Sequence, residues 1–150
     1  MNNLNPTRVI PSLTLALCTL FCASISAQEM SLAHSIDDPN LVWSPAPDFF
    51  PGCTFTVLHG DLESPNLDFL FRVEPNTEVV EHTHTSPERM ILVAGKMEVT
   101  YEGEPTRVLN KGDYAYGPAG KPHRAKCLGE GPCVLYVGMV DPFDAMPVEE

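Results

Sequence analysis

The chain has 150 residues, with 20 acidic against 9 basic side chains and a formal net charge of −11. This length suits one domain with a single core. An acidic chain without a dense Lys/Arg cluster is a poor partner for nucleic acid or an anionic membrane surface, because both require a basic face. The acidity itself is accounted for by solubility.

Residues 1–27 read as a secretory signal peptide, with a polar start that contains Arg8, an apolar stretch at 9–25 and small residues up to Ala27. An uncleaved membrane anchor is the alternative, but the stretch is near the lower limit for a bilayer span and contains Pro11. We therefore expect cleavage near Ala27, no stable membrane anchor, and an exported protein that is periplasmic or secreted.

Residues 28–47 form a proline-rich, polar extension in which only 41–43 has the character of a short strand. The remainder, 48–150, is expected to form one domain. Short β-type runs bounded by turn residues predict strands at 54–59, 67–73, 79–84, 89–94, 96–101, 106–109, 113–116, 123–127 and 133–140. Nine short strands with no helix longer than a turn or two predict an all-β fold.

Three cysteines would remain after export: Cys53, Cys127 and Cys133. The last two flank a turn-rich segment, 128–132, that reads as a hairpin loop, so they could oppose each other across two strands and form a disulfide. The alternative is that all three are small, buried, free thiols. Their spacing does not decide between the two.

Three histidines and a glutamate are spaced to surround one metal ion. His82 and His84 lie in a β-type run, where residues two apart share a face, so both imidazoles can approach one point. Glu88 follows after a short break at 85–87, where a turn would bring its carboxylate back to the same point. His123 must arrive from a distant strand. Histidine pairs at alternate positions also occur without metal, as exposed edge residues or packed core residues.

Two longer motifs contain these residues. The chain reads N-T-E-V-V-E-H-T-H-T-S-P-E-R-M-I-L-V-A-G at 76–95 and G-D-Y-A-Y-G-P-A-G-K-P-H-R-A-K-C at 112–127. They resemble the two motifs of the cupin superfamily, G-x5-H-x-H-x3–4-E-x6-G and G-x5-P-x-G-x2-H-x3-N, with Asn76 and Cys127 as departures. Asparagine tolerates a positive φ at a turn almost as well as glycine.

This resemblance covers about 41–143 and implies a small jelly-roll barrel, also called a double-stranded β-helix. It further implies that His82, His84, Glu88 and His123 bind one divalent ion, and that the protein is a homodimer in which 41–43 crosses to the partner. Cys127 would face the interior about four residues from His123, too far along the strand to bind the same ion.

Alternation along the predicted strands supplies a lining for a pocket beside the ion, and that lining is mostly apolar: Phe69, Phe71, Met90, Leu92, Met97 and Tyr101. Arg89 and Arg124 neighbour ligands in sequence but are turned to the opposite face. A phosphorylated substrate is therefore not expected.

Three imidazoles and one carboxylate suit Fe, Mn, Ni, Co, Cu or Zn better than Ca or Mg. Two functions follow. One is an oxygen-using oxidoreductase of a small apolar or aromatic molecule that carries oxygen, with Glu88 as its base if the carboxylate leaves the ion. The other is a non-catalytic module that binds a metal or a small molecule. Metal identity and substrate stay open at this level.

Overall fold

The computed structural model describes residues 30–149. The chain divides after Leu32 by its contacts, and all that follows concerns the unit that begins at Ala33. Eleven strands are described: β1 (Ser44–Pro45), β2 (Cys53–His59), β3 (Leu67–Val73), β4 (Glu78–Thr83), β5 (Glu88–Ala94), β6 (Lys96–Tyr101), β7 (Arg107–Asn110), β8 (Tyr114–Gly117), β9 (His123–Leu128), β10 (Cys133–Met139) and β11 (Met146–Pro147).

Residues 30–149 contain no helix. Within this range there is therefore no helix long and apolar enough to cross a membrane. The signal-peptide prediction falls on residues outside the described range. All nine strands predicted after residue 48 are present, and each end lies within one residue of its predicted position. Alternation is the reason: in β5, for example, Met90 and Leu92 are buried while Arg89 and Ile91 are exposed.

The strands form two antiparallel sheets. One has the order β1-β2-β3-β10-β5-β8 and the other β11-β4-β9-β6-β7. The core lies between them, with Leu67, Phe69 and Leu92 contributed by the first sheet and Met97 and Val99 by the second. This arrangement is the predicted all-β jelly roll. Asn76 has a φ of 57°, so it occupies the left-handed conformation expected at that turn.

The predicted strand at 41–43 is wrong, because the first strand is Ser44–Pro45. It pairs with β2 at the edge of its sheet, where the missing N–H of Pro45 is tolerated. Trp43 instead lies under the guanidinium of Arg72, with 3.6 Å between the guanidinium carbon and the ring centroid. Ala46, also within the extension, is buried in the core.

Cys127 and Cys133 form a disulfide, and Cys53 is a buried free thiol. Cys127 lies near the end of β9 and Cys133 at the start of β10, which belong to different sheets. Of the two alternatives left by the spacing, the structure therefore has the disulfide, and the bond joins the two layers of the fold.

A β-bulge in β4 decides which of its side chains face the core. Against β9, Val79 lies opposite Ala125 and His82 opposite His123, which puts one extra residue on β4. The alternation is therefore reset: Val79 and His82 are both buried, and Val80 is 40% exposed. Unbroken alternation from His82 would have turned Val80 inward, so this feature is not contained in the period-2 pattern.

Candidate metal centre

The four candidate ligands come from three places in the fold and face the same interior region. His82 is in β4, His84 follows the end of that strand, Glu88 opens β5 and His123 opens β9. Each is between 5% and 7% exposed. The bulge sets His82 directly across from His123, so that their rings lie 4.2 Å apart between centroids.

Each of the three imidazoles is oriented by a hydrogen bond from Nδ1 to a main-chain carbonyl. Nδ1 of His82 donates to the main-chain carbonyl of Val80 at 2.8 Å, and Nδ1 of His123 donates to that of Lys121 at 3.1 Å. Nδ1 of His84 donates to the carbonyl of Asp144. When the rings are neutral, each Nδ1 carries the proton and each Nε2 has a free lone pair, which is the tautomer that a metal requires.

These ring nitrogens converge. One nitrogen from each of His82, His84 and His123 lies within 4.8 Å of the others, a separation that one ion can bridge. The Glu88 carboxylate lies beside two of them, with 3.6 Å from Oε2 to Nε2 of His84 and 3.0 Å from Oε1 to Nε2 of His123. The donor set therefore fits a transition-metal ion. The three histidine nitrogens converge on one point, and the Glu88 carboxylate is close enough to be a fourth ligand.

The electrostatics of the cluster are those of a buried site that pairs one acid with several bases. Burial alone would raise the pKa of Glu88, but its close pairing with His123 and the nearby charges of His84 and His82 lower it. Burial alone would lower the pKa of His123, but Glu88 raises it overall. Burial and the charge of His123 lower the pKa of His82 to about 3. Before an ion binds, the carboxylate is thus ionised and His82 neutral.

The loops around the ligands are held by further main-chain bonds. The carbonyl of His84 accepts from the N–H of Gly120 at 2.7 Å, which ties the first motif to the second. Thr85 donates its N–H to Oδ1 of Asp144 at 2.8 Å. The Ser86 hydroxyl is fully buried and accepts from the N–H groups of Val140 and Asp141, both at 3.0 Å.

Gly117 has a separate role, since it lies opposite Glu88 in the pairing of β5 and β8. A Cβ at position 117 would lie 2.6 Å from Oε1 of Glu88 and 2.7 Å from its Cγ. The absence of a side chain at this position makes room for the carboxylate.

A cavity adjoins the four ligands. Four of the six predicted lining residues are part of its wall: Phe69, Phe71, Met90 and Met97. The prediction is corrected for Leu92 and Tyr101, which do not line it. Leu92 faces inward but is completely enclosed by the core. Tyr101 pairs with His123, and the imidazole stands beside its ring at 5.3 Å between centroids.

Sequence reasoning missed several residues of the wall, namely Phe50, Val79, Val99, Leu109, Ala125, Leu135, Val137 and Phe143. Most lie on strands and could have been found by extending the alternation. Phe50 and Phe143 lie in loops, where no periodicity applies. The Phe50 ring is 4.6 Å from that of His82, and the Phe143 ring is 6.3 Å from that of His84, between centroids.

The cavity is apolar and small. Among the described residues that line it, the polar side chains are the four candidate ligands, and no arginine or lysine is present. The volume open to a water-sized sphere is about 60 Å³, and one water needs about 10–15 Å³ on this measure. The unperturbed space therefore holds a ligand of only a few heavy atoms beside an ion.

The comparisons with known proteins agree with this architecture. The family model described as "Cupin domain" matches residues 69–139, which include all four candidate ligands. No curated protein sequence matches the chain. Residues 69–139 of the chain therefore form a cupin domain.

Solved structures give the same fold. The polyketide cyclase RemF from Streptomyces resistomycificus matches with a TM-score of 0.66 and 19% identity, over 81% of this chain and 87% of that one. The DMSP lyase DddQ from Ruegeria pomeroyi DSS-3 matches at 0.61 and 21%, over 72% of this chain and 61% of that one. KdgF from Halomonas sp. matches with a TM-score of 0.56 and 21% identity, over 66% of this chain and 87% of that one. This chain spans less than two thirds of the lyase, and at these identities the likeness concerns the fold.

Proposed function

We propose that the protein binds one divalent transition-metal ion through His82, His84, Glu88 and His123 and uses it to transform a small apolar or aromatic molecule that carries oxygen. The observation that carries the proposal is the shared orientation of the imidazoles. Each Nδ1 is committed to a main-chain carbonyl, so each Nε2 is free for an ion beside a buried carboxylate. A cluster that served only to pack the core would have no need for this common tautomer.

When bound, an ion with these ligands supplies Lewis-acid or redox chemistry and, if six-coordinate, has two positions for oxygen atoms of water, dioxygen or substrate. The chain supplies the remainder. Glu88 is ionised at neutral pH because of its histidine neighbours, so it is in the form that accepts a proton from a substrate hydroxyl. Burial of all four ligands excludes bulk water from them.

The wall of the cavity supports this substrate class. A phosphorylated substrate would find no lining arginine or lysine to balance its charge beyond the ion itself. Aromatic and aliphatic side chains favour an apolar or aromatic body, anchored through its oxygen atoms at the ion end. The small volume favours a compound of about catechol size over one of flavonoid size.

An oxygen-using oxidoreductase is the reaction class that we favour. The second candidate is a non-catalytic module that binds a metal or a small molecule. Its support is the lack, among the described lining residues, of any acid or base other than the four ligands themselves.

The test is to load the mature protein separately with Fe(II), Mn(II), Ni(II) and Zn(II) and to measure oxygen uptake with catechol-like and flavonoid-like compounds. We expect uptake with a redox-active ion and the smaller compounds, and none in the double variant His84→Ala, His123→Ala. Tight zinc retention with no uptake under any loading would select the non-catalytic module. Failure of the wild-type protein to bind any of these ions would refute the metal-dependent enzyme and the metal-binding form of the module.

A further inference from the structure

Tyr101 has a buried hydroxyl that forms no hydrogen bond within residues 30–149. The whole side chain is 6% exposed. A buried hydroxyl without a partner is unfavourable, and phenol groups in protein interiors nearly always find one. Such an atom therefore indicates a partner that becomes available in another state of the protein.

The place of Tyr101 in the sheet indicates which state that is. Across the sheet, Tyr101 pairs with His123 and His123 pairs with His82, so the three side chains form one row on the inner face. The Tyr101 ring lies 5.3 Å from the His123 ring between centroids, and Nε2 of His123 lies 3.0 Å from Oε1 of Glu88. The phenol hydroxyl is a hydrogen-bond donor.

Glu88 provides the complementary atom. Its Oε1 is also buried and forms no hydrogen bond of good geometry, although Nε2 of His123 lies 3.0 Å away. An ion that takes the Nε2 lone pair of His123 leaves that nitrogen without a proton to donate. Oε1 then requires another donor, and the phenol of Tyr101 is a buried donor without a hydrogen-bond partner among the described residues.

We propose that Tyr101 is a positioning residue, whose hydroxyl donates a hydrogen bond to Oε1 of Glu88 when a metal is bound and so fixes the carboxylate beside the ion. This inference rests on the proposed metal site. It does not require any particular substrate or reaction, and it assigns Tyr101 a role through Glu88 instead of the pocket-lining role expected from the sequence.

The variant Tyr101→Phe tests the proposal, because it keeps the ring beside His123 and removes only the hydroxyl. In the metal-free protein we expect an unchanged or raised melting temperature, since an unpartnered buried group has been removed. We expect zinc affinity, measured by competition with a chromophoric chelator, to fall about tenfold, as for loss of a group that holds a ligand. The visible absorption of the Co(II)-loaded protein should shift, because the ligand field includes Glu88.

Tyr136→Phe is the matched control. The Tyr136 hydroxyl donates to Oδ1 of Asp68 at 2.6 Å, away from the candidate ligands. This variant should lower the melting temperature and leave zinc affinity and the Co(II) spectrum unchanged. A spectral change common to both variants would mean that loss of any phenol disturbs the barrel, and would overturn the specific role of Tyr101.

A double-mutant cycle completes the test. In the Glu88→Gln background, Tyr101→Phe should cause no further loss of zinc affinity, because its effect passes through the carboxylate. Equal zinc affinities for wild type and Tyr101→Phe, additive losses in the cycle, or a lower melting temperature of metal-free Tyr101→Phe would each overturn the inference and leave the metal site standing. Absence of metal binding by the wild type would instead refute the proposed function, and this inference with it.

Discussion

The substitution Gly117→Ala tests whether Glu88 is a fourth ligand. Gly117 has no left-handed backbone, so an alanine there changes only the space beside Glu88. Its Cβ would lie 2.6 Å from Oε1, about 0.8 Å closer than the 3.4 Å at which ordinary contact begins. The carboxylate must therefore move by several tenths of an ångström, whereas metal–ligand distances tolerate about 0.2 Å.

The expected result is a loss of zinc affinity of about 10- to 100-fold, the range seen when the support of a ligand is removed. Competition with a chromophoric chelator measures it. Gly131→Ala is the control, because a Cβ there meets nothing within 4 Å and its backbone is also not left-handed. We expect no change in that variant. The clash in Gly117→Ala should also lower protein stability. Adding Glu88→Asp, which shortens the side chain by one methylene, should restore that stability but not the zinc affinity. Unchanged zinc affinity in folded Gly117→Ala would show that the three histidines bind the ion without Glu88.

Three further outcomes are expected. Ser86→Ala leaves the N–H of Val140 without its acceptor, so the free energy of unfolding should fall by about 1–3 kcal/mol. Denaturant titration measures this, and an unchanged midpoint would contradict the bond. Zinc affinity should fall as pH is lowered from about 8 to 5, by up to tenfold per unit, because the raised pKa of His123 makes protons compete for Nε2; a flat profile by calorimetry would exclude His123 as a ligand. Light scattering should report a dimer, and a dimer that persists after truncation before Phe49 would show that 41–43 is not the link.

Most of the fold follows from local sequence, because a half-buried strand must alternate and its ends are marked by turn residues. This is why all nine strands after residue 48 were predictable to within one residue. The prediction of a strand at 41–43 was wrong because three apolar residues are too few to show a period. Trp43 packs against the guanidinium of Arg72 instead of entering a strand. The pairing of Cys127 with Cys133 was undecided because six residues of separation suit a hairpin disulfide and two free thiols equally.

The candidate site was less predictable than the strands, for a physical reason. Ligand spacing identified the four residues, but the bulge that aims His82 depends on how β4 pairs with β9 and leaves no local signature. Phe143 reaches the cavity from a loop, and its position depends on a main-chain bond from its N–H to the carbonyl of Leu62. Contacts of this kind are properties of the assembled chain and have no period to detect.

The three histidines differ in what orients them, and the difference has a consequence for the stability of the site. His82 and His123 each bond a carbonyl two residues earlier in their own segment, so their rings are fixed as soon as the local strand forms. His84 depends on the carbonyl of Asp144, 60 residues away. The segment that supplies it is attached by the bonds of Phe143 to Leu62 and of Thr85 to Asp144, and beyond them by the short edge strand β11. Edge strands of this length open at low free-energy cost. We therefore expect His84 to be the candidate ligand whose orientation is lost first if the C-terminal segment detaches, while the pair across the bulge persists.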